Sequence, residues 1–180
     1  TPEQAAVWAY PMNHEESISP DALREEVIFN MVSAMLLRIH QSGHLAKLDE
    51  ERKALVKRAL DIYKTIRQDI RISRPFWPLG LAGYSDEIVS LGLFVEGKAY
   101  LAVWKRGGKA DCVTLPVSAA VRNALGGEEL SVTCIYPDRE SADAVYDPVQ
   151  KAVKAALPKP VMARLFELKP AYEKADAKNS

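Results

Sequence analysis

Two hydrophobic periods divide the chain. From Ser19 to about Ser73 apolar residues recur with helical spacing, and from about Ile88 to Leu168 they mostly alternate. Ser19-Pro20 predicts an N-cap followed by proline at the first helical position, with Asp21, Glu25 and Glu26 placed near the positive end of the helix dipole. The run from Val27 to Leu37 is apolar nearly all round the helix, so it calls for neighbours on more than one side. Ser42-Gly43 is the predicted end, the glycine taking the left-handed cap. A second helix is predicted from about Asp49. Its stripe, Leu55, Val56, Ala59, Leu60, Ile62, Tyr63, Ile66 and Ile70, is amphipathic, and Pro75 stops it.

Residues 75–79, Pro-Phe-Trp-Pro-Leu, read as a rigid proline-locked linker, with the domain boundary there. Beyond it, short alternating segments are separated by turn residues: Ile88–Val95, Ala99–Lys105, Asp111–Val117, Leu130–Tyr136, Ala152–Leu157 and Val161–Leu168. This spacing predicts an antiparallel sandwich or barrel-like sheet over residues 80–168. The stretch from Lys169 onward is rich in Lys, Ala, Glu and Asp and is expected to fray.

With 180 residues, the chain falls short of the roughly 250 of a complete (β/α)₈ barrel. Lys+Arg and Asp+Glu are 24 each, so the basic surplus that nucleic acid or an anionic membrane surface would require is missing. No run approaches the ~20 apolar residues of a membrane span. Cys112 and Cys134 are too few for a disulfide scaffold or a structural zinc site; buried free thiols in a reducing, cytoplasmic compartment are the favoured reading, a cross-strand pair the alternative. The opening Thr-Pro-Glu-Gln has no signal-peptide features and reads as an entry into the middle of a longer architecture.

Several segments occur in a recognisable order: Trp8-Ala9-Tyr10-Pro11, Phe29-Asn30-Met31-Val32, Arg38-Ile39-His40-Gln41-Ser42-Gly43-His44-Leu45, Tyr63-Lys64-Thr65-Ile66-Arg67, Pro75-Phe76-Trp77-Pro78-Leu79-Gly80, Tyr100-Leu101-Ala102-Val103-Trp104 and Ala163-Arg164-Leu165-Phe166. Together, over about residues 2–168, they resemble the carboxy-terminal part of bacterial α-galactosidases of glycoside hydrolase family 36. The resemblance implies an α+β fold: two helices from the end of a (β/α)₈ barrel followed by an antiparallel β-sandwich-like domain. Residues 1–74 would be the strand approach and closing helices, and the neighbours of the all-round apolar helix would then lie mostly outside the chain. It further implies an α-galactoside substrate such as a raffinose-type oligosaccharide for the parent enzyme, the rest of the catalytic barrel as partner, and no cofactor. A homo-oligomeric parent is compatible with it.

Retaining glycosidases use two carboxylates about 5–5.5 Å apart. In the family these lie in a Lys-Trp-Asp type motif and a Ser-Asp motif upstream of the segment matching Trp8. The sequence contains neither Lys-Trp-Asp nor Trp-x-Ser-Asp, and Tyr84-Ser85-Asp86 falls past the barrel portion. No catalytic carboxylate transfers, so the chain alone is expected to be inactive and structural. Trp8 and Tyr10 are the substrate-binding candidates, since sites assemble at the carboxy-terminal ends of barrel strands and sugar rings stack on aromatic faces; packing between strand and helix is the alternative for them. Phe76 and Trp77 are candidates for packing between the two domains.

The remaining constellations favour structural roles. His40 and His44 could face one metal on a continuous helix, but Ser42-Gly43 is expected to break it and no Glu follows His40. His14 with Glu15 and Glu16 reads as a solvated loop. The pairs Glu25/Glu26, Asp49/Glu50/Glu51, Asp86/Glu87 and Glu128/Glu129 occupy first helical turns or flank turns and make poor dyads, because adjacent positions do not face each other. A free-standing carbohydrate-binding or interaction module is the rival account; it predicts exposed aromatics on one face of the strand Tyr100–Trp104.

Overall fold

The computed structural model describes residues 2–11, 20–43, 45–140 and 142–171. His14 and its acidic neighbours, Ser19 and His44 lie outside the described residues. Strand β1 (Ala6–Ala9), helix α1 (Pro20–Met35) and strand β2 (Arg38–Gln41) form a parallel β-α-β unit, with Val7 opposite Ile39 and Trp8 opposite His40. The expected continuation of the helix to Ser42-Gly43 is therefore corrected. The helix stops at Met35 because the backbone beyond is taken over by β1: Leu37 N–H still reaches Ala34 O at 3.0 Å, but Arg38 N–H donates to Ala5 O at 2.9 Å.

Helix α2 (Glu50–Ile72) begins as predicted. The Asp49 carboxylate accepts the Arg52 N–H at 2.8 Å, and Leu55, Val56, Ala59, Ile66 and Ile70 are buried along one stripe. Ser73 closes it by donating its N–H and hydroxyl to Ile70 O. The segment beyond Ser73 is more than a linker, for Arg74–Phe76 form strand β3 at a sheet edge, where a proline leaves no central ladder bond unmade.

The remaining strands are β4 (Ile88–Val95), β5 (Lys98–Lys105), β6 (Cys112–Pro116), β7 (Leu130–Tyr136), β8 (Ala144–Asp147), β9 (Ala152–Ala156) and β10 (Met162–Pro170), with a short helix α3 (Ala119–Leu125) after β6. A five-stranded antiparallel sheet runs β3-β4-β5-β10-β7 and a three-stranded one β6-β9-β8. Lys169 and Pro170, expected to fray, pair with Ser131 and Leu130 in β7; residues 172–180 lie outside the described set.

Alternation along β5 and β10 separates two cores. Leu101, Val103, Phe166 and Leu168 face Leu115, Val153 and Ala155 across the sandwich. Tyr100, Ala102, Ala163 and Leu165 face α1 and α2. Helix α1 lies between that sheet, α2 and the β1–β2 pair. Val27, Ile28, Met31, Val32, Ala34 and Met35 are wholly buried. The expectation that this helix finds its neighbours mostly outside the chain is corrected: this chain's own elements cover it.

Polar ties stitch helices to sheet. The Arg164 guanidinium on β10 grips the Glu25 carboxylate of α1 in a fork at 2.7 and 3.0 Å, both side chains buried, and the Lys159 ammonium adds a contact at 3.0 Å. Glu25 is thus not a first-turn dipole residue. Burial alone would push its carboxyl up, but Arg164 and Lys159 outweigh this and hold it below its ordinary 4.5. The Tyr100 hydroxyl donates to Asp69 of α2 at 2.6 Å, and the Trp104 indole N–H to Ser33 of α1 at 3.1 Å.

The packing of helices and sheet sets three expected outcomes. Arg164→Ala leaves a buried carboxylate poorly compensated and should cost about 3–5 kcal/mol in chemical denaturation. A depressed folded value means that Glu25 contributes stability at pH above about 4.5 that is lost on further acidification, so Glu25→Gln should be less stable near neutrality yet lose less between pH 5 and pH 3. Third, a Cβ at Gly92 would sit 2.1 Å from the Phe76 ring. Gly92→Ala should therefore destabilise by about 1–3 kcal/mol, and the cost should shrink in the Phe76→Ala background.

Candidate functional site: the open face of the parallel strand pair

Val7, Ala9 and Ile39 turn toward α1 and join its core. The alternate positions therefore point away from the helix. Trp8 is 67% exposed and Tyr10 40%. His40, directly opposite Trp8 in the register, meets the indole edge-on, with ring centroids 5.9 Å apart and planes at 73°. At the carboxy-terminal end of the pair, Ser42 N–H donates to Ala9 O at 3.0 Å, and the Gln41 amide nitrogen donates to Ala9 O and Ser42 O at 3.1 Å. The Gln41 amide oxygen is buried with no hydrogen-bond partner among the described residues. Parallel strands are normally covered on both faces. Among the described residues neither strand pairs with a third, and the face away from α1 carries an indole, an imidazole and a phenol.

An exposed indole with a polar ring at its edge can stack on the C–H face of a sugar while the imidazole reaches a hydroxyl. It can bind and orient; it brings no carboxylate pair. The structure thus sets Trp8 and Tyr10 on one face and adds His40, which the sequence pattern places at a helix end. The signal for His40 was available in the period-2 positions of Arg38–Gln41, but four residues are too few to outweigh a long helical run.

The other candidates fall elsewhere. The Phe76 ring packs over Gly92 and edge-on to Phe94, centroids 6.0 Å apart, on the sandwich side of the sheet. Trp77 is half-exposed and opens a loop in which Leu81 and Tyr84 also face solvent. Arg106 ties that loop through the carbonyls of Gly83 and Asp86, and the Asp86 carboxylate accepts the Gly83 N–H at 2.7 Å. Asp86 is thereby a loop brace. Glu128 pairs with Arg122 at 3.3 Å, and Glu50 with Lys53.

The strand Tyr100–Trp104 offers no sugar platform. Tyr100, Leu101, Ala102 and Val103 are buried and Trp104 is half-buried, because the sandwich covers one face and the helices the other. That expectation of the rival account is overturned. Burial and the Asp69 carboxylate push the Tyr100 phenol far up, and burial does the same for Tyr136, so both stay protonated ties and not acid–base groups at neutral pH. Neither cysteine is in a disulfide; Cys134 is buried, but Cys112, expected to be buried too, is exposed. Among the described residues no three His, Cys, Asp or Glu side chains cluster as metal ligands, and no helix is long and apolar enough to cross a membrane.

A parallel β-α-β unit joined through a long helix to an antiparallel sandwich is also found in solved glycosidases. The chain superposes on the family 36 α-galactosidase AgaA from Geobacillus stearothermophilus, in a variant bound to raffinose, with a TM-score of 0.60 and 16% identity, covering 92% of this chain and 21% of that one. The galactosidase domain of the α-galactosidase–sucrose kinase AgaSK gives 0.59 and 16%, again 92% and 21%. The α-galactosidase from Lactobacillus brevis gives 0.58 and 13%, covering 97% and 23%. The fold is thus that of a portion of family 36 α-galactosidases, and the chain spans about a fifth of the length of these relatives. No family model and no curated protein matches the sequence.

Because the Trp8 indole is mostly in solvent, Trp8→Ala should shift the stability of the 180-residue chain by no more than about 0.5 kcal/mol in thermal or urea unfolding. A loss above about 2 kcal/mol would make the indole a packing residue and remove it from the candidate site.

Proposed function

We propose that this chain is the carboxy-terminal section of a retaining α-galactosidase of the family 36 type, in which β1, α1 and β2 supply the last strand–helix–strand of the catalytic barrel. One observation carries this reading: a two-stranded parallel sheet roofed by its helix on one side and, among the described residues, uncovered on the other and unpaired at its edges, where further parallel strands would pair. In a barrel the helix lies outside and the opposite face looks into the lumen. Trp8 and His40 would then look inward, and Trp8 and Tyr10, near the carboxy-terminal ends, would border the sugar. The likeness to enzymes solved with raffinose and stachyose supports a raffinose-type galactoside as the substrate class.

The carboxylates of such a reaction would come from strands earlier in the barrel, about 5–5.5 Å apart. This chain's own part would be positioning: an aromatic surface that orients the ring, and a terminal sandwich that shields α1 and α2. The sandwich would act through stability, since it removes one face of the five-stranded sheet from water while the other carries the helices.

The gene region ahead of the Thr1 codon provides the test. A product extended by that region should contain a Lys-Trp-Asp and a Ser-Asp motif and hydrolyse p-nitrophenyl α-galactoside with retention, whereas the 180-residue chain should not. In the extended enzyme Trp8→Ala should raise KM more than it lowers kcat. Hydrolysis by the short chain itself, or an extended product without activity or motifs, would overturn the proposal.

The burial of the apolar residues of α1 from Val27 to Met35 within this chain favours a second reading, that these residues fold on their own as a carbohydrate-binding module. Titrating the tryptophan fluorescence of the chain with galactosides and α-glucans separates the two. A saturable change lost in Trp8→Ala would make the open strand face a binding module in its own right.

A further inference from the structure

A half-open hollow lies apart from the parallel strands, where the end of α2, the β4–β5 turn, the end of α3 and the end of β10 converge. It has a volume of about 620 Å³, within the ~300–1,000 Å³ of small-molecule sites. Its walls combine apolar surface from Ile72 and Phe94 with the polar residues Arg74, Glu96 and Asn123. These three side chains are exposed and have no hydrogen bond or ion pair with another described residue, whereas Lys98 pairs with Asp69 and Arg122 with Glu128.

The frame is held from behind. The Gly97 N–H donates to Ala124 O at 2.8 Å, fastening the turn to the helix end, and the Ala171 N–H donates to Glu129 O at 2.9 Å. Gly97 and Gly126 adopt φ of 78° and 79°, and a Cβ on either would meet nothing within 4 Å. Both glycines therefore serve the tight turns that shape the rim, and the space beside them is open.

The structure assigns to this hollow, we propose, a binding site for a neutral polyhydroxylated ligand of more than one ring, a disaccharide or longer oligosaccharide. The formal charges of Arg74 and Glu96 cancel, so neither an anion nor a cation is selected. Arg74 offers donors only, Glu96 acceptors only and Asn123 both, which matches hydroxyls that donate and accept in turn. Apolar surface from Ile72 and Phe94 suits the C–H faces of pyranose rings. Such a site would hold an oligosaccharide on the sandwich, apart from the open face of β1 and β2, and it does not rest on the glycosidase reading.

Amide chemical shifts of the labelled full chain, followed during titration with melibiose, maltose and lactose, test it. At least one of the three sugars should produce saturable shifts at Gly97, Asn123 and Gly126, with a Kd in the millimolar range. Glu96→Ala and Asn123→Ala should each weaken that binding about fivefold or more, with unchanged thermal stability, and raised salt should leave the affinity the same. Saturable shifts confined to Trp8 and His40 would support the open strand face and overturn this site. So would the absence of saturable shifts at the hollow with all three sugars up to about 50 mM, or binding that salt abolishes.

Discussion

A sheet that must be dry on both faces organises this chain. Strands β5 and β10 lie at its centre, and their alternate side chains feed two cores, one shared with the three-stranded sheet and one with α1 and α2. Because the side-chain period is two, a one-residue slip of β10 would exchange Ala163 and Leu165 for Met162 and Phe166 and spoil both cores together. The Arg164–Glu25 fork adds direction to that constraint. Two charges buried across 139 positions of sequence distance have few ways to be satisfied, so they specify which stretch of helix lies over which stretch of strand.

That arrangement explains how a helix apolar on nearly every side is accommodated. It is surrounded by the sheet, the second helix and the parallel strand pair, and among the described residues that pair is covered from the helix side alone. Hydrophobic faces can be buried by any neighbour, and here the sheet and second helix supply them.

The open face and the hollow on the sandwich sit on different elements and use different chemistry. The first offers stacking surface from Trp8 with an imidazole beside it. The second offers uncommitted hydrogen-bonding groups in a frame braced by backbone bonds from Gly97 and Ala171. The scaffold can support both because the sandwich fixes turns at one end of the five-stranded sheet while the helices fix the strand pair.

Much of the architecture was legible in the sequence because local patterns agreed with it. The amphipathic stripe of α2 with its Asp49 cap, the strands from Ile88 to Tyr136 and the closing strand through Leu168 all carry their own period and turn residues. The order of short motifs pointed to the glycosidase fold where no single motif sufficed. The two-residue offset between the end of α1 and β2, the edge strand at Pro75 and the pairing of His40 with Trp8 were decided only in three dimensions, since a short strand exists by virtue of the partner that accepts its hydrogen bonds. The same holds for Glu25. Residue by residue it resembled any acidic group near a helix start, and only the approach of Arg164 from the far end of the chain turned it into a buried anchor, because Coulomb attraction and desolvation depend on distance in space and not along the backbone.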